Sequence, residues 1–130
     1  MSHFTTIHTQ IQDIEALRAA CSELGLTLCA NTIARGYSGN STPGEFVIRL
    51  RGPYDIALNR LANGSYGMTT DWWSGHVAGE VGANFGRLLQ LYGVHKATKE
   101  ARRKGCGVKR QPLPDGSIKL CISLPVSAGA

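Results

Sequence analysis

The dipeptide Asn63-Gly64 stands between two alternating segments and limits the chain's choices more than any other feature. Asn-Gly takes the positive backbone angles of a tight hairpin turn, so its flanking segments are expected to pair antiparallel. Upstream, Tyr54, Ile56 and Leu58 alternate with small or polar neighbours; downstream, Ser65 to Thr70 forms the returning strand. Gly52-Pro53 supplies an earlier turn. Before it, Phe46, Ile48 and Leu50 share one face and Arg49 and Arg51 the other, so Glu45 to Arg51 reads as a half-buried strand. The three segments form a meander.

The remaining elements fall around it. His3 to Ile11, rich in Thr and Ile, reads as a strand with Phe4 on one face and Ile7 and Ile11 on the other. Asp13 offers an N-cap, Glu15 suits the first turn, and Ile14, Leu17, Cys21 and Leu24 follow at helical spacing until Gly25 stops the helix. Leu26 to Ile33 reads as a second strand, and Gly36 to Gly44 as a nine-residue glycine-rich loop. After an irregular stretch from Trp72 to Gly79, one long helix is predicted over about 81–104. Val81, Phe85, Leu88 and Tyr92 give it an apolar stripe, and Gly93 is a candidate bend. A hairpin closes the chain: Cys106 to Gln111, the turn Pro112 to Gly116, then Ser117 to Leu124. The segment 125–130 is expected to fray.

The order βαββββαββ predicts an α+β fold, a mostly antiparallel sheet with two helices packed on one face, as a ferredoxin-like relative. The second face is expected to stay open for a partner or a second copy, so a homo-oligomer is one expected state. The 130 residues fit a single domain over 1–130. With 42% hydrophobic and 18% charged residues the chain is too apolar to be disordered. It has no apolar run of membrane-spanning length, and Met1-Ser2-His3-Phe4 lacks the regions of a signal peptide. A soluble, cytoplasmic protein without a membrane partner is expected. Cys21, Cys29, Cys106 and Cys121 form no C-x-x-C pair, so reduced thiols and neither metal nor cofactor are expected.

Chemistry is less visible. The glycine-rich loop lacks a phosphate-binding pattern and leads into a strand, not a helix. No nucleophile elbow or zinc-protease pattern occurs, and Asp71 and His76, five residues apart, suit a turn and a solvated ring; no enzyme is expected. Asp71-Trp72-Trp73 is the strongest pointer, because adjacent tryptophans cannot share one strand face. Trp72, sharing parity with Tyr66, Met68 and Thr70, is expected inside and Trp73 at the surface, where indoles suit interfaces. Tyr37 and Asn40 from the loop join Asp71, Trp72 and Trp73 as the candidate partner-binding set. Charge adds an alternative. From Val81 onward nine Lys and Arg face only Glu100 and Asp115, and that part carries +7 against −2 for the rest. Lys96, Lys99, Arg102, Arg103, Lys104, Lys109, Arg110 and Lys119 form the candidate nucleic-acid surface. No aromatic stacking pattern like that of an RNA-binding sheet accompanies them.

Met1-Ser2-His3-Phe4-Thr5-Thr6-Ile7, Arg35-Gly36-Tyr37, Tyr54-Asp55-Ile56, Asp71-Trp72-Trp73 and Asp115-Gly116-Ser117-Ile118 together resemble an uncharacterised family. It includes a hypothetical open reading frame of red-algal plastids and cyanobacteria, with relatives in other bacteria and phages. The likeness runs in order over nearly the whole chain. It implies a small soluble α+β protein with no assigned reaction, and an accessory role beside an AAA-type ATPase, near which relatives are encoded. The chain departs from the pattern at Lys109 and Arg110, where relatives tend to be acidic. It also departs at Ser123-Leu124-Pro125, where relatives end the strand with an aromatic residue, and in the glycine content of Gly79 to Gly86. The expected function is that of a non-enzymatic accessory or adaptor protein acting through protein contacts; the alternative is nucleic-acid binding through the basic surface.

Overall fold

A computed structural model describes residues 3–125, so the segment expected to fray lies, from Val126 on, outside the described residues. The element order is β1 (Phe4–His8), α1 (Ile14–Glu23), β2 (Thr27–Arg35), β3 (Ser41–Arg49), β4 (Ile56–Arg60) and β5 (Tyr66–Asp71). It continues with α2 (His76–Val81), α3 (Gly86–Arg103), β6 (Gly107–Pro112) and β7 (Ile118–Ser123). The fold is α+β. Five strands make an antiparallel sheet in the order β1-β5-β4-β3-β2, with the expected meander at its centre. This arrangement does not establish the ferredoxin-like relation.

The alternation read from the sequence becomes the core. Leu28, Ile48, Ile56, Leu58 and Met68 line one face of the sheet. Leu17, Ala20 and Cys21 of α1, Val77 and Val81 of α2, and Leu88 and Leu91 of α3 pack with them, so the helices share that face. Asp13 caps α1 by accepting from Ala16 N–H at 3.1 Å.

Three expectations need correction. The glycine-rich segment is not a nine-residue loop: β2 and β3 pair all the way to Arg35↔Ser41, leaving one 3₁₀ turn at Tyr37–Gly39. Gly36 N–H donates to Asn40 at 2.7 Å, and the alternation of the ladder then puts Pro43 opposite Ile33 at a non-hydrogen-bonded position. Its missing N–H therefore costs no bond to β2. The long helix is also broken. Gly82, at φ 86°, ends α2, and a 3₁₀ turn at Ala83–Phe85 precedes α3, which then runs through Gly93. Finally, β6 and β7 form their own two-stranded sheet. Of its apolar stripe Ile118 reaches the core, while Ile122 remains 52% exposed.

The second face is partly covered, not open throughout as expected: Val47 and Ala57 are buried on it, while Thr6 and Asn59 stay exposed. Asn31, at φ 50°, reverses the side-chain alternation of β2. Leu28 thus packs in the main core, whereas Ala34, of the same parity, packs with Val47 and Ala57 in a second small cluster. The far end of the β2–β3 hairpin folds across that face. Gly44 permits the closeness: a side chain there would meet Phe46 O at 2.5 Å and Ala57 Cβ at 3.2 Å. Asp55, wholly buried, fastens the bend. It accepts from Arg35 N–H at 3.0 Å, Arg35 Nε and Nη2 at 2.8 Å, Arg49 Nη1 at 2.8 Å and Leu50 N–H at 3.2 Å. Burial alone would raise its pKa, but these charge-assisted bonds outweigh it and hold the carboxyl below its usual range.

Candidate functional site

Asp71 ends β5 and is 1% exposed, yet among the described residues its carboxylate has no ion-pair partner. Oδ2 accepts from Tyr37 N–H at 3.1 Å and Oδ1 from Trp73 N–H at 3.0 Å. A buried carboxylate needs such donors, and here they come from two chain segments thirty-four residues and two residues away. Asp71 thereby places Tyr37 and Trp73 side by side, their rings 5.7 Å apart and edge to face. Both remain exposed, at 41% and 46%.

The two segments match. Tyr37-Ser38-Gly39 and Trp73-Ser74-Gly75 each form one 3₁₀ turn, with the serine left-handed (φ 54° and 59°) and the glycine at φ 78° and 73°. The repeated aromatic-Ser-Gly tripeptide was the legible signal for this pairing, and periodicity did not disclose it. Beneath the first turn, Gly36 lies so close to Phe4 that a side chain would strike the ring at 2.5 Å. Asn40 ends that turn, its N–H donating to Tyr37 O at 3.0 Å. Trp72 turns the other way, 4.7 Å from the Phe85 ring and packed on the main core.

His76 borders the patch with its ring 5.2 Å from Tyr54, and it makes no hydrogen bond to Asp71 among the described residues. Tyr54 is buried; burial, the Asp71 carboxylate and Tyr37 raise its hydroxyl above the usual range. Sequence reasoning missed Ser38, Ser74, Tyr54 and His76 as parts of this region.

The basic residues are only partly gathered. Asp13 takes Lys99 at 2.8 Å and Lys96 at 3.3 Å; Glu100 takes Lys96 at 3.4 Å and also Arg103. Glu23 lies 2.8 Å from both Arg110 Nη1 and His95 Nε2. Burial would raise the Glu23 pKa, but Arg110 and His95 bring it below its ordinary value. Among the described residues Arg102, Lys104, Lys109 and Lys119 have no ion-pair partner, and Lys109 and Lys119 lie on the β6–β7 hairpin. No three His, Cys, Asp or Glu side chains among the described residues are grouped to hold a metal ion. The four cysteines are free thiols, and no described helix is long and apolar enough to cross a membrane.

Residues 20–121 match the family described as protein of unknown function (DUF1257), and the chain belongs to that family. This agrees with the resemblance read from its motifs, to a family without an assigned function. No curated protein and no solved structure matches the chain.

Proposed function

We propose that this DUF1257 chain is a non-enzymatic accessory protein that recognises another protein through the Tyr37–Trp73 patch. The observation that carries the reading is the single buried carboxylate holding two exposed aromatic turns in fixed relation. Rigid aromatic anchors flanked by small polar residues are the composition of protein-recognition loops: Tyr and Trp supply area at low entropy cost, Ser, Gly and Asn adaptable hydrogen bonds. Tyr37, Ser38, Gly39, Asn40, Trp73 and Ser74 are all exposed, and all are uncharged. A patch without net charge favours a protein surface over a phosphate backbone at this place.

The test captures the partner with tethered protein from the native host, identifies it by mass spectrometry, and measures its affinity for variants. An AAA-type ATPase, implied by the resemblance, is one defined bait. Trp73→Ala is expected to leave melting within about 1 kcal/mol of the parent. It should weaken binding by about 2 kcal/mol or more, some thirtyfold. Trp72→Ala should instead cost about 3–5 kcal/mol of stability. Unchanged partner affinity in both Trp73→Ala and Tyr37→Ala would remove the patch from the interface.

A further inference from the structure

We infer that the free edge of β1 is a docking edge for a second copy of this chain, the two β1 strands pairing antiparallel about a two-fold axis at Thr6. β1 lies at one margin of the five-stranded sheet, and its one strand neighbour among the described residues is β5. Thr9 N–H donates to Tyr66 O at 3.2 Å, so the alternation of the ladder turns the backbone groups of Ile7 and Thr5 towards β5. Those of Phe4, Thr6 and His8 therefore point outward. The 2.7 Å contact between the Thr6 and Thr69 hydroxyls agrees, because opposed side chains come closest where the backbones exchange no bonds. Among the described residues no other segment bonds to these outward groups. Thr5, on the face that carries the helices, and Thr6, on the other, are both exposed, so both sides leave room for a further strand.

The two margins of the sheet differ. An unpaired edge invites another strand, and proteins guard it with charge, proline, irregular backbone or cover. β2, at the far margin, is guarded. Asn31 interrupts it at φ 50°, Arg18 Nη1 donates to Leu28 O at 3.2 Å, and Arg49 Nη1 donates to Ile33 O at 2.9 Å. Asp55 both accepts from the Arg35 N–H and donates to its carbonyl, each at 3.0 Å. Phe-Thr-Thr-Ile-His in β1 has none of these devices: it is regular, carries no Lys, Arg, Asp, Glu or Pro, and is rich in residues that suit strands. Its outward positions are symmetric about Thr6. A second β1 running antiparallel sets Phe4 opposite His8 of the copy and Thr6 opposite Thr6, so the outward groups exchange bonds as in an ordinary ladder. Thr5 and Ile7 then meet across the seam as β-branched neighbours, and no like charges are opposed. At its His8 end the edge opens onto an apolar hollow of about 440 Å³ lined by Thr9, Ile11, Leu89, Tyr92 and Gly93, and the antiparallel register carries the copy's chain towards it. A self-complementary contact of this kind closes as a dimer.

Analytical ultracentrifugation of the full chain over a concentration series tests this, with a shift from monomer to dimer expected as concentration rises. Thr6→Lys sets two cations face to face at the axis and Thr6→Glu two carboxylates; each should weaken dimerisation by about tenfold or more. Circular dichroism melts check that both variants fold. Mixing the two puts opposite charges at the axis and should restore the dimer, which a merely destabilised fold would not do. Trp73→Ala should dimerise as the parent does, which separates this edge from the aromatic patch. A monomer at every concentration up to about 1 mM, a dimer unchanged by Thr6→Lys, or no dimer in the mixture would each overturn the assignment.

Discussion

Asp13 has two duties. Its carboxylate caps α1 through Ala16 N–H and reaches across to Lys99 and Lys96 on α3, so one side chain both starts a helix and ties it to another. The hydrogen bond from Lys99, with the cap and Lys96, lowers its pKa from 3.8 to about 2 against the opposing effect of burial. Because the folded value lies below the unfolded one, the stabilisation is complete above the unfolded pKa and is lost as pH falls through the folded pKa. Both lysines are about half exposed, so solvent screening reduces the effect to about 1 kcal/mol. Urea melts should therefore show stability falling between about pH 5 and pH 2, and Asp13→Asn should flatten part of that slope; an unchanged slope in the variant would assign it to other carboxylates. The cap was legible in the sequence, since Asp before a helical run is a local signal. Its lysine partners were not, because they lie more than eighty residues away and only the fold brings them near.

Between α2 and α3, periodicity misled. Val81, Phe85, Leu88 and Tyr92 are all buried, as one helix would require, yet Gly82 breaks the helix between the first two. The 3₁₀ turn returns Phe85 to the core, so the apolar spacing survives while the hydrogen-bond ladder does not. Gly82 combines φ 86° with an Arg87 N–H that would lie 2.8 Å from any added Cβ. Gly82→Ala should thus destabilise the protein by about 1–3 kcal/mol in chemical denaturation. Gly79→Ala, three residues earlier in α2 with open space around it, should be neutral or stabilising by up to about 1 kcal/mol. Equal effects at the two positions would mean that the break is not enforced by Gly82. The same division holds for the site: adjacent indoles announced that one must face outward, but the Asp71 clamp required knowing that the β2–β3 turn folds back over β5. Asn31, left-handed at φ 50°, marks the point where β2 changes face, and the sequence reading placed it inside a regular strand.

At the scale of the whole molecule, the meander places each strand beside its neighbour in sequence, with one exception. β1 and β2 stand on opposite edges of the sheet, so α1 carries the chain across its full width. β1 then pairs with β5, Thr6 against Thr69 through a 2.7 Å hydroxyl contact sixty-three residues apart. Closing so long a loop costs more entropy than forming the hairpins β2–β3, β3–β4 and β4–β5. Folding kinetics should show it. Val47→Ala, at the centre of the meander, is expected to slow folding, whereas Ile7→Ala in β1 should chiefly speed unfolding, with a φ-value near 0. A high φ-value at Ile7 would place β1 in the nucleus instead. The order of synthesis runs against the order of use: β1 leaves the ribosome before the other described strands and waits for nearly sixty further residues before its partner β5 begins at Tyr66. Through that interval the nascent chain holds a Thr- and Ile-rich strand with both edges unsatisfied, a segment exposed to premature pairing with other nascent chains.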